Sequence, residues 1–406
     1  MKILITTDSY EALINGVSVS VKNLSSALRN AGNEVRILTL SPTYQSYRQK
    51  DTYFISSMPL PIYPDVRASF SLRDSLFEEI EEWTPDVIHS QSEFFTFHFA
   101  RRLAKRLQIP LIHTYHTLYE CYTHYFCPNK TLGRKIVSVG SKYICNRADA
   151  VIAPTKKTAH ILRKYGIDAP IEVIPTGLSL EQLQKPVDIS VLNKLKRQLH
   201  IPETAPVIVT LGRVAQEKNI DFLIQQMLHP ILQNLKLHLV IVGDGPDRER
   251  LETLVHQLQL RKTVHFTGMV LPNEICQYYR LGNVFVSASN SETQGLTYIE
   301  AMACGLPLLC LKDSCLESVL VSGENGYFFE DENSFAERCF EIFSNKKTLQ
   351  KLSENALIKS SEFSKEMFAS RILQLYASMI LEKEEPKKCT RFVCIPKQIW
   401  QKVTEF

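Results

Sequence analysis

Short β-branched runs alternate with amphipathic stretches along most of the chain. Residues 3–7, 34–40, 86–89, 111–115, 150–153 and 172–175 read as strands, and residues 17–30, 71–83, 94–107 and 130–147 carry apolar positions at helical spacing. Strand, helix, strand at this rhythm predicts a parallel sheet covered by helices. After Leu178 the rhythm lapses into a polar segment and then restarts. Strands follow at 207–211, 237–242, 264–266, 283–287 and 308–311, with helices near 220–234, 247–258, 273–279 and 298–303. The lapse sets a domain junction within residues 178–205. A last helix is expected over 365–383, stopped by Pro386. The chain thus divides into 1–180, 181–383 and a tail, 384–406. The tail mixes lysines, aromatics and two cysteines; it reads as a frayed terminus, with an amphipathic membrane-contacting segment as the alternative. The fold class is α/β: two facing, doubly wound, Rossmann-like domains that bind ligands where strand C-termini meet the cleft.

Composition sets bounds on this picture. A chain of 406 residues exceeds one ordinary core, and 44% hydrophobic with 22% charged residues is usual for a globular protein. No apolar run approaches bilayer-spanning length. The N-terminus turns polar at Thr6-Thr7-Asp8, too soon for a signal peptide, so a cytosolic protein is expected. The ten cysteines include no CxxC pair; Cys121 with Cys127 and Cys389 with Cys394 lack zinc spacing, and all read as reduced.

The net charge of +4 is unevenly placed. Residues 1–180 carry 21 Lys and Arg against 16 Asp and Glu, a balance of +5, which leaves −1 for the rest. Between residues 100 and 165, Arg101, Arg102, Lys105, Arg106, Arg134, Lys135, Lys142 and other basic residues face only Glu120 and Asp149. Any one of them is explained by a solvated helix face. Together they fit an anionic membrane surface, where each basic residue contributes about 1 kcal/mol. Nucleic acid is disfavoured, because no recognition module accompanies the charge.

The candidate chemistry sits at predicted strand ends. Gly212-Arg213-Val214-Ala215-Gln216-Glu217-Lys218-Asn219 directly follows the 207–211 strand. Arg213 offers a planar fork and Lys218 a point charge, and together they could clamp a diphosphate and stabilise charge on a leaving phosphate. Val242-Gly243-Asp244-Gly245-Pro246 ends another strand, where glycine permits close backbone approach to a ligand or merely a tight turn. Asn15-Gly16-Val17-Ser18 opens the first helix and could offer N–H groups to a phosphate. No dinucleotide fingerprint is present, so a nicotinamide cofactor is disfavoured, and no DxD sequence indicates a metal-held diphosphate.

Glu292 and Glu300 flank a polar, glycine-containing turn and a helix start at about Leu296. A helix start suits a phosphate, and the two carboxylates could accept hydrogen bonds from sugar hydroxyls at both ends of one ligand. A hydrolase pair would need the carboxyls about 5 to 9 Å apart. Solvated glutamates at a helix start are the plainer alternative, because Glu is favoured there. Glu300 is expected in the first helical turn, with Ile299, Met302 and Ala303 turned to the core. In the other half, His113-Thr114-Tyr115-His116-Thr117-Leu118-Tyr119-Glu120 follows a strand. A histidine there is more often structural, but His116 could bond a sugar hydroxyl or assist proton movement. His124 and the nearby cysteines hint only weakly at a metal.

As a set, these residues resemble the retaining glycosyltransferases of family 4. The resemblance rests on Glu292-x7-Glu300 followed by Ala-Met-Ala-Cys-Gly-Leu-Pro, on Gly212-Arg213 and Lys218, and on Val173-Ile-Pro-Thr-Gly177, Val242-Gly-Asp-Gly-Pro246 and Ala148-Asp-Ala-Val-Ile-Ala-Pro154. Thr7-Asp8 and Asn15-Gly16-Val17 fit as well. It covers all but about the last twenty residues. It implies a GT-B architecture, a nucleotide-sugar donor on the C-terminal domain, no metal and no cofactor beyond the UDP-sugar substrate. The 113–125 segment is similar to bacterial glucosyltransferases acting on diacylglycerol.

By that resemblance the catalytic residues are Arg213, Lys218, His116 and Glu292. Arg213 and Lys218 match the diphosphate clamp, Glu292 the donor-sugar contact, Glu300 the ribose contact and His116 the histidine beside the donor sugar. Gly16 matches the glycine-loop contact, and Gly212, Gly243, Thr293, Gln294 and Gly295 complete the donor site. Thr293-Gln294-Gly295 departs from the Gly-Phe-Gly type usual in the family. The expectation is glucose transfer from UDP-glucose to 1,2-diacylglycerol, with retention, by a peripheral enzyme on an anionic inner membrane face. Another acceptor, a non-catalytic sugar-nucleotide-binding partner and a sugar-nucleotide isomerase are the alternatives.

Overall fold

The computed structural model describes residues 1–8, 10, 16–60, 67–71, 73–120, 123, 127 and 129–388. In chain order the strands are β1 (Lys2–Thr7), β2 (Glu34–Leu40), β3 (Tyr47–Gln49), β4 (Thr52–Ile55), β5 (Met58–Pro59), β6 (Arg67–Ala68), β7 (Val87–Ser90), β8 (Leu111–Thr114), β9 (Ala150–Ala153), β10 (Ile171–Val173), β11 (Val207–Leu211), β12 (His238–Val242), β13 (Val264–Gly268), β14 (Val284–Ser287), β15 (Leu308–Leu311) and β16 (Gly326–Phe329). The helices are α1 (Gly16–Asn30), α2 (Ser75–Trp83), α3 (Phe95–Leu107), α4 (Lys130–Cys145), α5 (Lys156–Lys164), α6 (Leu180–Leu183), α7 (Ile189–Gln198), α8 (Ile220–Gln226), α9 (Pro230–Asn234), α10 (Arg248–Gln257), α11 (Ile275–Leu281), α12 (Leu296–Ala303), α13 (Glu332–Ser344), α14 (Lys346–Ser360) and α15 (Lys365–Lys388).

Two large sheets result, in the orders β10-β9-β8-β7-β1-β2-β4-β3 and β13-β12-β11-β14-β15-β16, and β5 with β6 forms a separate two-stranded sheet. The β3–β4 pair is antiparallel and the other pairs in both sheets are parallel. Both sheets are covered on two faces, which is why their strands are almost continuously apolar. Ile3 and Ile5 pack toward α1 and α15, whereas Leu4 packs toward α2 and α3. In the second sheet Val207 and Val209 face Tyr279 and Met302, and Ile208 faces Leu223 and Leu251. Strand order reverses beside β1 and again beside β11. Loops leaving neighbouring strands diverge at such points and open a crevice.

Several elements differ from the sequence expectation. The stretch expected as one helix over 220–234 is two, because Pro230 starts α9 with His229 as its N-cap, accepting from the Ile231 N–H at 3.3 Å. The short strands β3, β4 and β16 escape the periodicity test, as do helices α5, α7, α13 and α14. The segment between the sheets that reads as polar contains α6 and α7, whose Leu180, Leu183, Leu195 and Leu199 pack on the second core. The last helix continues to Lys388, past Pro386; a proline this near a helix end removes one backbone bond only. Cys121, His124, Asn15 and residues 389–406, including Cys389 and Cys394, lie outside the described residues.

The chain crosses between the sheets twice at one place. Leu178 donates its N–H to Phe363 at 2.9 Å and accepts from Lys365 at 2.9 Å. From there α15 returns to the first sheet and inserts Phe368, Ile372 and Tyr376 into its core. Among the described residues no helix is long and apolar enough to cross a membrane.

One glycine fixes the geometry on which the second cleft wall is built. Gly243 has φ 127°, and a Cβ there would lie 2.0 Å from the Gly212 carbonyl oxygen. Gly212 also has positive φ, 146°, but a Cβ there would meet nothing within 4 Å. Gly243→Ala is therefore expected to lose about 2–4 kcal/mol of stability, and Gly212→Ala about 1–2. Urea unfolding of both variants checks the order; equal losses would contradict it.

Candidate active site

The reversal point of the second sheet lies between β11 and β14. The loop after β11 carries Arg213 and Lys218; the loop after β14 carries Glu292. The first loop closes in a single 3₁₀ turn over Gln216–Lys218, ended by Asn219 in the left-handed region at φ 52°. This turn points Lys218 back at the second loop. Its Nζ lies 2.5 Å from Glu292 Oε1, with the side chains 24% and 16% exposed. Arg213 pairs with Glu217 at 2.5 Å. Ser291 ties the loops together by donating its hydroxyl to the Glu217 carbonyl at 3.3 Å.

Helix α12 starts from this same place. Its N-cap is Gly295, φ 74°, and no side chain caps it. A Cβ on Gly295 would sit 2.1 Å from the Tyr298 ring, so only glycine fits. The helix therefore presents its N-terminal N–H groups and dipole beside two cations. Across the cleft, Gly16 opens α1, and a Cβ on it would come within 3.9 Å of Leu296 Cδ1. Two helix N-termini thus face one another.

Glu300 lies one full turn inside α12 rather than in its first turn, which holds no acidic residue. Its Oε2 accepts from the Tyr279 hydroxyl at 2.8 Å. Burial raises its pKa, and the tyrosine bond works against that rise. Ile299, Met302 and Ala303 are fully buried, as the spacing predicts. Of the other residues assigned to donor binding, Gly243 packs against Gly212. Thr293 and Gln294 turn to the first domain. The Thr293 hydroxyl accepts from the Leu118 N–H at 3.3 Å, and its carbonyl accepts from the Thr155 hydroxyl at 2.9 Å. Gln294 bonds the Thr176 backbone at both ends, at 2.8 and 3.0 Å. These two side chains strap the domains together. Lys157 adds an ion pair to Asp313 at 2.6 Å.

The Leu118–Thr293 bond brings the loop after β8, and with it His116, to the Glu292 loop. His116 Nε2 lies 2.7 Å from Gln91 Oε1. Burial lowers its pKa to about 4, so the imidazole is neutral at neutral pH. Sequence reasoning missed Gln91 and Glu93 and gave Asp8 no role beyond its place in the family resemblance; they follow β7 and β1 at the first reversal point. Asp8 Oδ1 accepts from the Thr96 N–H at 2.8 Å, and burial lifts its pKa to about 6. Glu93 Oε2 accepts from the Tyr119 hydroxyl at 2.9 Å, while Oε1 and both His113 ring nitrogens are buried without a hydrogen bond. Their positions at strand ends were the available signal.

Burial pushes the Glu93 carboxyl from 4.5 up to about 7. Between those values the folded chain keeps a proton that the unfolded chain has lost, so stability falls as pH rises through this window. Glu93→Gln removes the buried charge and keeps an acceptor for Tyr119. It is expected to stabilise the fold at pH 8 by on the order of 1–3 kcal/mol and to be neutral at pH 4. Unfolding midpoints at both pH values check this; no gain at pH 8 would contradict it.

Comparison with known proteins agrees with this geometry. Residues 14–182 match the model of Glycosyltransferase Family 4, and residues 192–358 that of Glycosyl transferases group 1. The alpha-monoglucosyldiacylglycerol synthase of Acholeplasma laidlawii is 31% identical over 94% of this chain and 98% of its own. The enzyme of that name from Streptococcus pneumoniae is 29% identical over 99% of this chain and 91% of its own. Two solved structures superimpose with TM-score 0.71. Sucrose-phosphate synthase from Thermosynechococcus elongatus is 23% identical and covers 94% of this chain and 99% of its own. Anabaena HepE in complex with UDP and glucose is 18% identical and covers 93% and 100%. The two facing sheets are the GT-B architecture, and the chain belongs to glycosyltransferase family 4.

Proposed function

We propose that the protein transfers glucose from UDP-glucose to the free hydroxyl of 1,2-diacylglycerol, with retention at the anomeric carbon, on the anionic inner face of the cell membrane. The carrying observation is the Lys218–Glu292 pair beside Arg213 and the uncapped start of α12, opposite Gly16. A diphosphate entering between the two helix N-termini takes Lys218 and Arg213 as partners in place of carboxylates. Glu292 is then released to accept hydrogen bonds from the sugar. Glu300 holds the ribose hydroxyls. The bond from the anomeric carbon to the diphosphate oxygen breaks as that carbon bonds the acceptor oxygen on the same face. The acceptor proton passes to the leaving diphosphate, giving UDP. Arg213 and Lys218 stabilise the charge that develops, and they do so without a metal.

The acceptor assignment draws support from the two relatives' printed names and from α4. Gly133, Val137, Ser141, Ile144 and Cys145 bury one face of this helix. The opposite face exposes Leu132, Ile136, Val139 and Tyr143 at 52, 52, 62 and 44%. Their spacing of four, three and four residues makes one stripe. Lys130, Arg134, Lys135 and Lys142 lie along the same helix, and the Arg147 guanidinium sits 3.5 Å over the Tyr143 ring. Outward apolar side chains with basic neighbours suit an anionic lipid surface.

In vesicles containing diacylglycerol, label from UDP-glucose is expected in extractable lipid. Lys218→Ala should lower that turnover on the order of 10²-fold. Near-normal turnover would remove Lys218 from the mechanism, and label in water-soluble product alone would overturn the acceptor. Ile136→Glu with Val139→Glu should weaken cosedimentation with phosphatidylglycerol vesicles by about tenfold or more. Unchanged binding would rule out α4 as the contact.

A further inference from the structure

A buried chain of polar side chains runs from the cleft to the crossover helix. His116 Nε2 lies 2.7 Å from Gln91 Oε1, and Gln91 Nε2 lies 2.9 Å from His89 Nε2. His89 Nε2 also lies 2.7 Å from the Thr114 hydroxyl, and His89 Nδ1 lies 2.6 Å from the Tyr376 hydroxyl. His89, Gln91, Thr114 and Tyr376 are each at most 2% exposed. With these four side chains buried, each partner's donor or acceptor role constrains the next.

With the Gln91 amide oxygen placed toward His116, that oxygen can only accept, so in this orientation His116 Nε2 carries the proton. The amide nitrogen can only donate, so His89 Nε2 is bare and takes the Thr114 proton as well. The His89 proton then sits on Nδ1 and is donated to Tyr376. A neutral imidazole has one proton, so His116 Nδ1 is left as an acceptor. No described side chain hydrogen-bonds it. The charged and titratable groups around the ring are His89 and His113 on the neighbouring strands, Glu93 at 3.8 Å from His113, and Tyr119 bonded to Glu93. A carboxylate in direct contact with Nε2–H would outweigh all of these.

We propose that Gln91 is a positioning residue which, braced by His89, holds His116 as the Nε2-protonated neutral tautomer with Nδ1 open to accept a hydrogen bond from a sugar or acceptor hydroxyl. This rests on the proposed sugar transfer and on His116 standing beside the donor sugar, the place the family resemblance implies for it. The inference couples the centre to α15, which belongs to the first core by packing and to the second domain by chain connection. The Tyr376 hydroxyl can donate or accept, so α15 braces the His89 ring while the orientation of the Gln91 amide sets the proton position on His116.

Ring-nitrogen NMR of the full chain labelled with ¹⁵N-histidine tests it, with the His116 signals assigned by their loss in His116→Gln. The wild type should show a protonated Nε2 and a bare Nδ1. Gln91→Glu should raise the His116 pKa by about one unit or more, and the acid limb of kcat should move up with it. Gln91→Met should lower kcat about tenfold with the limb in place and KM for UDP-glucose changed less than about threefold. A wild-type His116 protonated on Nδ1 would overturn the inference, as would an unmoved pKa in a folded Gln91→Glu protein. Neither result would touch the proposed sugar transfer, which fails separately if the wild type forms no labelled lipid; full turnover in His116→Gln would instead remove His116 from the reaction centre.

Discussion

A pair of cations must stand at the carboxyl edge of the second sheet whether or not a diphosphate is there to neutralise them. The chain meets this constraint by giving each cation an internal carboxylate, Glu292 for Lys218 and Glu217 for Arg213. Removing one partner of a desolvated pair leaves a charge without compensation. The carboxylates therefore keep the loops ordered, and in the proposed exchange phosphate oxygens take their place on the cations. Glu292 has two uses in this scheme, as counter-ion before the donor binds and as sugar contact afterwards.

The rest of the architecture serves to bring the second edge to the first. Gln294, Thr293 and Lys157 join the domains through the very loop that carries Glu292. Helix α15 ties the two sheets from behind. Strapping through the donor loop means that a shift in that loop and a shift in cleft width are one motion. It also fits the departure of Thr293-Gln294-Gly295 from the Gly-Phe-Gly type: both of its side chains hold the other domain, and Gly295 is left to the helix start.

The two parallel sheets and the position of Arg213, Lys218 and Glu292 in loops after strands were legible because β-branched runs and strand-end motifs are local signals. The split at Pro230 was legible too, had the proline been weighted over the apolar period. What stayed hidden was non-local. Gln91 and Tyr376 are 285 positions apart and acquire meaning only when β7 and α15 pack. Glu93 reads as an ordinary polar residue until burial strips its oxygens of water. The glycines of Val242-Gly243-Asp244-Gly245 read as ligand-facing, yet Gly243 owes its identity to the Gly212 carbonyl.

The most direct test is a crystal structure with UDP bound. The account predicts the diphosphate between the N-termini of α1 and α12, with Lys218 moved from Glu292 onto a phosphate oxygen and Arg213 beside it. Nucleotide bound elsewhere, or bound in the cleft with the Lys218–Glu292 contact intact, would contradict it.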